Sequence, residues 1–310
     1  VLPGGAVGRL APTPSGLLHL GNARSFLLAW LWARREGGRV LLRIEDVDLP
    51  RCRPEYRAAI LRDLEWLGLD WDELVEDQSR RFPLYREHLE RLARAGLAYP
   101  CTCSRRDIEE ASSAPHGDEG PIYPGTCRDR WRDAAEARDA GGRDPAWRFR
   151  WEGAPMRLRD EIEGDVVVDP ASLGDFVVWR REELASYQLA VAVDDAAQGV
   201  TQVLRGRDLL QSTARQLALD DALGLRGPAR WAHVPFLLDR EGGRMAKRDA
   251  SLALATLREN GVDPRRVVGL LARTAGLAAA VRALAPRELV DAFDLARVRR
   301  EDVTMPATAV

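Results

Sequence analysis

The sequence has 310 residues, and its 46 lysines and arginines nearly balance its 48 aspartates and glutamates, for a formal net charge of −2. Its composition, 45% hydrophobic and 30% charged, is typical of a globular protein and excludes a disordered or collagen-like chain. The balanced charge argues against a protein that coats nucleic acid indiscriminately, so an RNA partner would have to meet a local basic face. Lys247 is the single lysine of the sequence, which makes it a residue of interest.

The length predicts about two domains, and no stretch predicts a membrane span. The apolar run at residues 26–33 has eight residues and is followed by two arginines, far short of the ~20 residues that cross a bilayer. The Gly/Pro-rich start does not fit a secretion signal, in which basic residues precede the apolar stretch. We therefore expect a cytoplasmic protein with no membrane partner, and a monomer. In that compartment the four cysteines suggest metal binding or catalysis before disulfides.

The first elements alternate between strand and helix. Residues 7–11 predict a short strand, a turn rich in proline, serine and glycine follows, and residues 19–35 predict a long helix that two glycines end. Residues 39–44 then predict a buried strand. A strand, crossover helix and strand in this order predict a parallel sheet.

The rest of the sequence predicts helices and strands, interrupted by an insertion. Helices are predicted at residues 54–67, 83–95, 128–140 and 208–223, strands within 147–169 and at 231–238, and apolar core segments at 187–195 and 201–204. Residues 99–144 differ in composition, with cysteines and short turns, and are interpreted as an insertion. A glycine-rich loop occupies residues 240–247, and short helices are predicted after it.

The first strand-to-helix turn, residues 9–22, is the strongest local signal. A helix N-terminus presents unpaired N–H groups and a partial positive charge, which suits phosphate. His19 at this position can donate to phosphate oxygens, and Gly21 leaves room for a flat base near the backbone. A surface histidine at a helix start would be the simpler interpretation of this turn by itself.

The loop at residues 242–248 favours a phosphate-binding role for the turn over the simpler interpretation. A glycine pair followed by a lysine can close over a triphosphate and neutralise the charge that develops during transfer. Arginine fills every other basic position of this sequence, so Lys247 indicates a need for a compact ammonium charge in place of a planar guanidinium.

The two segments resemble the paired signatures of class I aminoacyl-tRNA synthetases. Residues 19–22 (His-Leu-Gly-Asn) are similar to the His-Ile-Gly-His motif, and residues 244–248 (Arg-Met-Ala-Lys-Arg) to the Lys-Met-Ser-Lys-Ser motif. The glutamyl branch is the closest match, and the segments that carry this likeness are residues 9–16, 42–48, 187–195 and 203–208. The resemblance spans about residues 8–255.

The resemblance implies ATP-dependent activation of L-glutamate. Only residues 249–310 follow the second signature, which resembles the truncated paralogue that attaches glutamate to queuosine in the anticodon loop of tRNA(Asp). Two alternatives stay open: a short enzyme that charges tRNA(Glu), and a catalytically silent paralogue that binds tRNA or glutamate. Arg244 and Ala246 depart from the second signature, and the missing hydroxyl gives the silent alternative some support.

The resemblance also implies roles for individual residues. His19 and Lys247 would be catalytic, and Mg²⁺ would accompany ATP. The implied glutamate-binding residues are Arg9, Leu10, Ala11, Pro12, Thr13, Glu45, Tyr187 and Arg205, and the implied ATP-binding residues are Pro12, His19, Gly21, Asn22, Arg244, Met245 and Lys247. Chemically, Arg205 can pair with a carboxylate through two N–H groups and Glu45 can hold an ammonium. Taken singly, Glu45 and Arg205 would suggest a structural ion pair, and Tyr187 a core residue.

Three cysteines, Cys101, Cys103 and Cys127, form a second constellation. Three thiolates favour Zn²⁺, which takes four ligands in a structural site, and the residues alone leave His116 or water as the fourth. The resemblance implies Tyr123 instead, with one structural zinc ion. Cysteines without metal are the alternative. Cys52 is interpreted as a free thiol, and His88 and His233 as structural residues.

The predicted fold is α/β: a Rossmann-type nucleotide-binding domain of class I synthetases with a zinc-bearing insertion and a short helical C-terminal region. The predicted division gives residues 1–100 and 181–238 to the catalytic domain, 101–180 to the insertion, and 239–310 to the signature loop and the helical end.

Overall fold

The computed structural model describes residues 5–111, 122–245 and 252–306. Its first unit is β1 (Val7–Leu10), α1 (Leu20–Arg35) and β2 (Arg39–Leu42). The two strands pair in parallel, from Val7 opposite Arg39 to Leu10 opposite Leu42, as the sequence predicted. A short strand, β3 (Glu73–Leu74), extends this sheet in parallel on the far side of β2.

A second set of strands joins the first through Thr201. The backbone N–H of Thr201 donates to the Val7 carbonyl at 2.9 Å, and the Thr201 hydroxyl accepts from the Val7 N–H at 2.8 Å. Thr201 begins the approach to β9 (Gln202–Gly206), which pairs in parallel with β10 (Arg230–Val234). β1 and β9 therefore lie side by side, and the chain leaves each of them toward the same edge.

The helices that cover these strands match the sequence in most places. α2 (Pro54–Leu67), α3 (Phe82–Arg94) and α8 (Leu210–Leu223) lie where helices were predicted, and residues 187–195 fall in α7 (Tyr187–Ala197), whose first turn Ser186 caps. The helix predicted at residues 128–140 is α5 (Ala134–Gly141). It begins late because Asp133 is its N-cap and accepts from the Glu136 N–H.

Residues 98–180 contribute to two sheets. β4 (Ala98–Cys101), β5 (Ala146–Phe149) and β8 (Phe176–Trp179) form an antiparallel sheet beside α4 (Arg105–Ala111). β6 (Met156–Asp160) and β7 (Gly164–Val168) form a hairpin, followed by α6 (Pro170–Leu173), and β6 pairs in parallel with β10. The predicted insertion thus also supplies the strand that lies next to β10.

The C-terminal residues pack onto α1. α9 (Leu254–Glu259), α10 (Pro264–Thr274) and α11 (Arg287–Val290) follow the glycine-rich loop, and β12 (Val303–Thr304) pairs in parallel with β11 (Leu237–Leu238). The predicted strand at 231–238 is split between β10 and β11 at Pro235, which has no N–H to donate to a neighbouring strand. In the described ranges, no helix combines the length and apolar character that a bilayer crossing requires.

Candidate active site

A cleft of about 460 Å³ opens at the carboxyl ends of β1, β2, β9 and β10. In open α/β sheets ligands bind at such an edge, where the chain turns away in opposite directions from two adjacent strands. Most of the predicted site residues line this cleft: Arg9, Ala11, Pro12, Thr13, His19, Gly21, Asn22, Glu45, Tyr187, Arg205, Arg244 and Met245. Leu10 does not line it, because its side chain is fully buried in the core beneath the cleft.

His19 is the N-cap of α1 and its ring is fixed by the first turn. Its Nδ1 accepts from the backbone N–H groups of Gly21 at 3.1 Å and Asn22 at 3.4 Å. The Asn22 side chain reciprocates by accepting from the His19 N–H at 3.2 Å, which completes a capping box. With Nδ1 acting as an acceptor, Nε2 is the atom that carries the ring proton and can donate.

Gly21 gives the His19 ring its space. A Cβ at position 21 would lie 2.9 Å from His19 Cε1 and 3.0 Å from Nδ1. The sequence predicted that this glycine leaves room for a base, and the structure adds a nearer neighbour, the histidine of the same signature.

Met245 of the second signature, and the residues that resume after it at Ala253, lie against the first signature. The sulfur of Met245 would be 3.9 Å from a Cβ on Gly21, and Ala253 forms a bridge with His19 while the Leu254 N–H donates to the Leu18 carbonyl at 2.8 Å. Arg244 places its guanidinium over the Phe236 ring, 4.3 Å from the centroid. Ala246, Lys247 and Arg248 lie outside the described residues.

A network of buried charges forms the floor of the cleft. Asp195 Oδ1 pairs with Arg9 at 2.9 Å and with Arg43 at 2.7 Å, and Arg43 also pairs with Glu45 at 3.0 Å. Burial opposes the ionised carboxylate of Asp195, but Arg43 and Arg9 outweigh it and lower the pKa. For Glu45 burial is the largest influence and raises the pKa. The sequence analysis assigned no role to Arg43 or Asp195, although both lie in segments that carry the family resemblance.

Arg9 Nη2 and Asp195 Oδ2 are buried and have no hydrogen-bond partner in the parts of the chain that the structure describes. Unsatisfied buried polar groups are rare in folded proteins and call for a ligand or ordered water. Since Arg9 lines the cleft, its free N–H groups point to a ligand with an acceptor oxygen.

Arg205 is a buried guanidinium surrounded by neutral acceptors. Its Nε donates to His233 Nε2 at 3.2 Å, and its Nη1 to the Tyr187 hydroxyl at 3.3 Å. Its Nη2 has three acceptors, namely the Leu209 carbonyl, Thr213 and Gln216. The side chain is 5% exposed, burial lowers its pKa, and no carboxylate of the described ranges forms an ion pair with it.

These contacts use four of the five N–H groups that an arginine carries. One Nη1 hydrogen is left to meet a ligand. The two-pronged carboxylate pairing expected from the sequence would therefore require Arg205 to give up one of its present partners.

The comparisons with known proteins agree with this geometry. Residues 6–303 match the family described as "tRNA synthetases class I (E and Q), catalytic domain". A glutamyl-Q tRNA(Asp) synthetase from Symbiobacterium thermophilum is 50% identical, covering 98% of this chain and 97% of the relative, and one from Nitratidesulfovibrio vulgaris is 46% identical over 97% and 95%. The chain belongs to the glutamyl-Q tRNA(Asp) synthetase family.

The fold agrees with the same assignment. A glutamate-tRNA synthetase from Elizabethkingia anophelis superimposes with a TM-score of 0.82 at 26% identity, over 97% of this chain and 68% of that one. A glutamate tRNA ligase from Elizabethkingia meningosepticum, solved in complex with its amino acid, gives 0.81 at 26% identity. The predicted α/β fold of a class I synthetase catalytic domain is thereby confirmed.

The cysteine constellation of this family member comes together as predicted. The sulfurs of Cys101, Cys103 and Cys127 lie within 4.8 Å of one another, and those of Cys103 and Cys127 are 3.5 Å apart. The Tyr123 hydroxyl is 3.4 Å from Cys101 Sγ and 3.8 Å from Cys103 Sγ, and it accepts from the Cys127 N–H. Hydrogen bonding from Cys101 is the largest influence that lowers the pKa of Cys127, to about 4. His116, the other candidate ligand, lies outside the described residues.

We predict that Gly21→Ala impairs ATP use without unfolding the protein. The added methyl would push the His19 ring away from the helix N-terminus, so the ring could no longer aim its Nε2 at phosphate. The rate of ATP–pyrophosphate exchange should fall by about 10- to 100-fold, a loss comparable with removing one charge-stabilising donor. Ala23→Gly, two residues further along α1, serves as the control for helix stability, and an exchange rate equal to that of the native sequence in Gly21→Ala would contradict the prediction.

Proposed function

We propose that the protein activates L-glutamate with ATP to form glutamyl-adenylate and then transfers the glutamate to queuosine in the anticodon loop of tRNA(Asp). The observation that carries the amino-acid part is the buried guanidinium of Arg205, which has neutral partners and an N–H group left over at the cleft. The nucleic-acid part is supported by the names of relatives that match this chain over nearly their whole length.

The charges of the cleft suit a dicarboxylic amino acid. With Glu45 ionised, the arginines of the cleft and its floor carry one more charge than the carboxylates: Arg9, Arg43, Arg205 and Arg244 against Glu45, Asp195 and Asp208. Glutamate bears a net charge of −1 and would neutralise this excess, whereas glutamine would not. In this proposal Arg205 and the free N–H of Arg9 bind the carboxylates, and Glu45 binds the ammonium. Tyr187 and the backbone of residues 10–13 complete the pocket.

The reaction needs positioning and charge stabilisation more than covalent chemistry. The α-carboxylate of glutamate attacks the α-phosphorus of ATP, so a carboxylate O–P bond forms, the bond to the β-phosphate oxygen breaks, and pyrophosphate leaves. His19 Nε2–H and the N-terminus of α1 bind phosphate oxygens, and Lys247 neutralises the charge on the leaving group. Gly21, Asn22, Pro12, Arg244 and Met245 would shape the remaining ATP site. Mg²⁺ would accompany ATP and share its phosphate charge.

The cysteine cluster fits one structural Zn²⁺. Zinc–sulfur bonds of ~2.3 Å and a zinc–oxygen bond of ~2.0 Å in a tetrahedron give ligand-to-ligand distances of roughly 3.5–3.8 Å. Three separations lie close to these values: Tyr123 Oη to Cys101 Sγ at 3.4 Å, Tyr123 Oη to Cys103 Sγ at 3.8 Å, and Cys103 Sγ to Cys127 Sγ at 3.5 Å. We therefore propose Cys101, Cys103, Tyr123 and Cys127 as the zinc ligands. The proposed domain division keeps them in the insertion at residues 101–180, between the catalytic segments 1–100 and 181–238, with residues 239–310 as the C-terminal part.

The proposed transfer is tested by giving the protein radiolabelled glutamate, ATP and one tRNA at a time. We expect label on tRNA(Asp) that carries queuosine, and none on tRNA(Asp) lacking the modified base. Label on tRNA(Glu) that mild alkali removes, without label on modified tRNA(Asp), would overturn the proposal in favour of a short charging enzyme. Absence of glutamate-dependent ATP–pyrophosphate exchange would favour a silent binding protein.

We predict that Lys247→Ala abolishes adenylate formation while glutamate binding is retained within about twofold. In this proposal the ammonium acts on the triphosphate, whereas Arg9, Glu45 and Arg205 bind glutamate, so exchange and binding should separate. Calorimetric titration with glutamate and the exchange assay measure the two properties. Arg240→Ala is the control, because it removes the charge of an exposed residue of the same loop that does not line the cleft. Exchange that survives in Lys247→Ala would refute the role.

We predict that Cys103→Ser loses bound zinc and that Cys52→Ser keeps it. Serine is isosteric but replaces one of four proposed ligands, whereas Cys52 lies outside the cluster. Metal analysis of the purified proteins should give one zinc per chain for the native sequence and for Cys52→Ser, and much less for Cys103→Ser. Equal zinc content in both variants would exclude the cysteine site.

A further inference from the structure

Three adjacent parallel strands place one polar residue each on a line that ends at the cleft. Asp160 is the last residue of β6, His233 lies in β10 and Arg205 in β9, where it pairs in register with His233. Asp160 Oδ2 is 2.7 Å from His233 Nδ1, and His233 Nε2 is 3.2 Å from Arg205 Nε. All three side chains are buried, and only Arg205 reaches the cleft.

Asp160 fixes the tautomer of His233. Its Oδ1 accepts from the backbone N–H groups of Ile162, Glu163 and His233, so the carboxylate is held firmly. Burial opposes the ionised carboxylate, but the hydrogen bond from the His233 ring, and next the one from the Glu163 N–H, lower its pKa. Its Oδ2 is left to accept the proton on Nδ1 of the imidazole. The other ring nitrogen, Nε2, then carries a lone pair, which faces the Nε–H of Arg205 at 3.2 Å and the Thr213 hydroxyl at 3.0 Å.

The ring is suited to this role only in its neutral form. Burial, and next the charge of Arg205, lower the pKa of His233, while Asp160 and Asp208 act in the opposite direction. A proton on Nε2 would face the guanidinium N–H and place two positive charges against each other. The neutral ring instead offers an acceptor without adding a carboxylate that would neutralise Arg205 and compete with the substrate.

The remaining contacts of Arg205 do not replace this one. Thr213, Gln216 and the Leu209 carbonyl bind Nη2, and Tyr187 binds Nη1. The guanidinium carbon also lies over the Trp231 ring, 5.1 Å from its centroid. Trp231 is itself stacked parallel to the His233 ring, at 6.5 Å between centroids. His233 is thus the acceptor for Nε, and the contact at Nε fixes the rotation of the guanidinium in its own plane, which sets where Nη1 points.

We propose that His233, oriented by Asp160, is a positioning residue for glutamate recognition: its Nε2 holds Arg205 by Nε so that an Nη1 N–H faces the carboxylate of the amino acid. The inference rests on the proposed function, in which Arg205 binds glutamate. It changes the interpretation of His233 from a core histidine to a part of substrate selection that does not touch the substrate.

A pair of substitutions separates the contact at Nδ1 of the ring from the contacts at Nε2. His233→Asn retains a donor near the Nδ1 position, so the Asp160 contact can persist, but no atom reaches Arg205. His233→Gln extends its carbonyl oxygen toward the Nε2 position and can still accept from Arg205. We expect His233→Asn to raise the KM for glutamate by about 10-fold or more, since hydrogen bonds to charged groups are worth ~1.5–3 kcal/mol. The KM for ATP should stay within about twofold, and His233→Gln should recover most of the loss.

The control is His88→Gln, which replaces a buried histidine of α3 whose Nδ1 contacts the Leu84 carbonyl and which does not line the cleft. It should lower thermal stability without changing either KM. Glutamate-dependent ATP–pyrophosphate exchange gives both KM values. If the Asn and Gln variants raise both KM values equally, or if His233→Asn leaves the KM for glutamate unchanged, His233 has no positioning role.

A second variant keeps the test valid if His233→Asn does not fold. Asp160→Asn preserves Oδ1 and its backbone contacts but presents an amide donor to Nδ1, which moves the ring proton to Nε2, against Arg205. We expect the same selective rise in the KM for glutamate, and an unchanged value would overturn the proposal. If the native protein itself shows no glutamate-dependent exchange, the proposed function fails, which is distinct from a native protein that exchanges normally and variants that match it.

Discussion

A guanidinium that is buried with no carboxylate partner among residues 5–111, 122–245 and 252–306 is the constraint on which the site depends. Taking a charge out of water costs several kcal/mol unless other groups compensate. Around Arg205 the compensation comes from neutral groups: a histidine nitrogen, three side-chain oxygens and a backbone carbonyl. Neutral acceptors orient the guanidinium and leave its charge available. A site built this way is already arranged for an anion before the anion arrives.

In the second charged group of the cleft, the arginines are paired with carboxylates. Arg9 and Arg43 share one oxygen of Asp195, and Arg43 also binds Glu45. Here the charges nearly cancel, so the network is stable when the cleft is empty and still keeps an unpaired N–H on Arg9. The two groups are complementary. Arg205 supplies a net positive charge that attracts a carboxylate, and the network of Arg9, Arg43, Asp195 and Glu45 supplies fixed charges that include an acceptor for an ammonium.

Local chemistry predicted the elements well, because each depends on its own residues. α2 has the predicted bounds, with a proline in its first turn and Gly68 ending it at a φ of 77°. His19 was placed at the start of α1 because a helix N-terminus was evident, and the structure makes it the cap. The helix predicted at 128–140 was too long, since the sequence does not show that Arg128 is drawn into ion pairs with Glu152 and Asp175.

The meeting of distant residues was beyond a single sequence. Arg9 of β1 and Asp195 of α7 are 186 residues apart along the chain and 2.9 Å apart in space, because α7 is followed by Thr201, which pairs with Val7 of β1. The strand pattern at residues 231–238 marked His233 as one residue of a buried strand, but its neighbours come from β6 and β9. The order of strands in the sheet therefore decides that His233 faces Arg205, and periodicity along one strand cannot supply that order.

Arginine and lysine suit different proposed tasks in this site. Arg205 uses donors on three different nitrogens to contact the strand, α7 and α8 at once, which a lysine with one nitrogen could not do. The proposed task of Lys247 is the reverse, since a group that follows the phosphates through a reaction benefits from a compact charge on a flexible stem. In a sequence with 46 basic residues, abundance identifies neither position. Arg205 is recognised as a site residue by the fixed directions of its N–H donors. Lys247 is recognised because it is a lysine where every other basic residue of the sequence is an arginine.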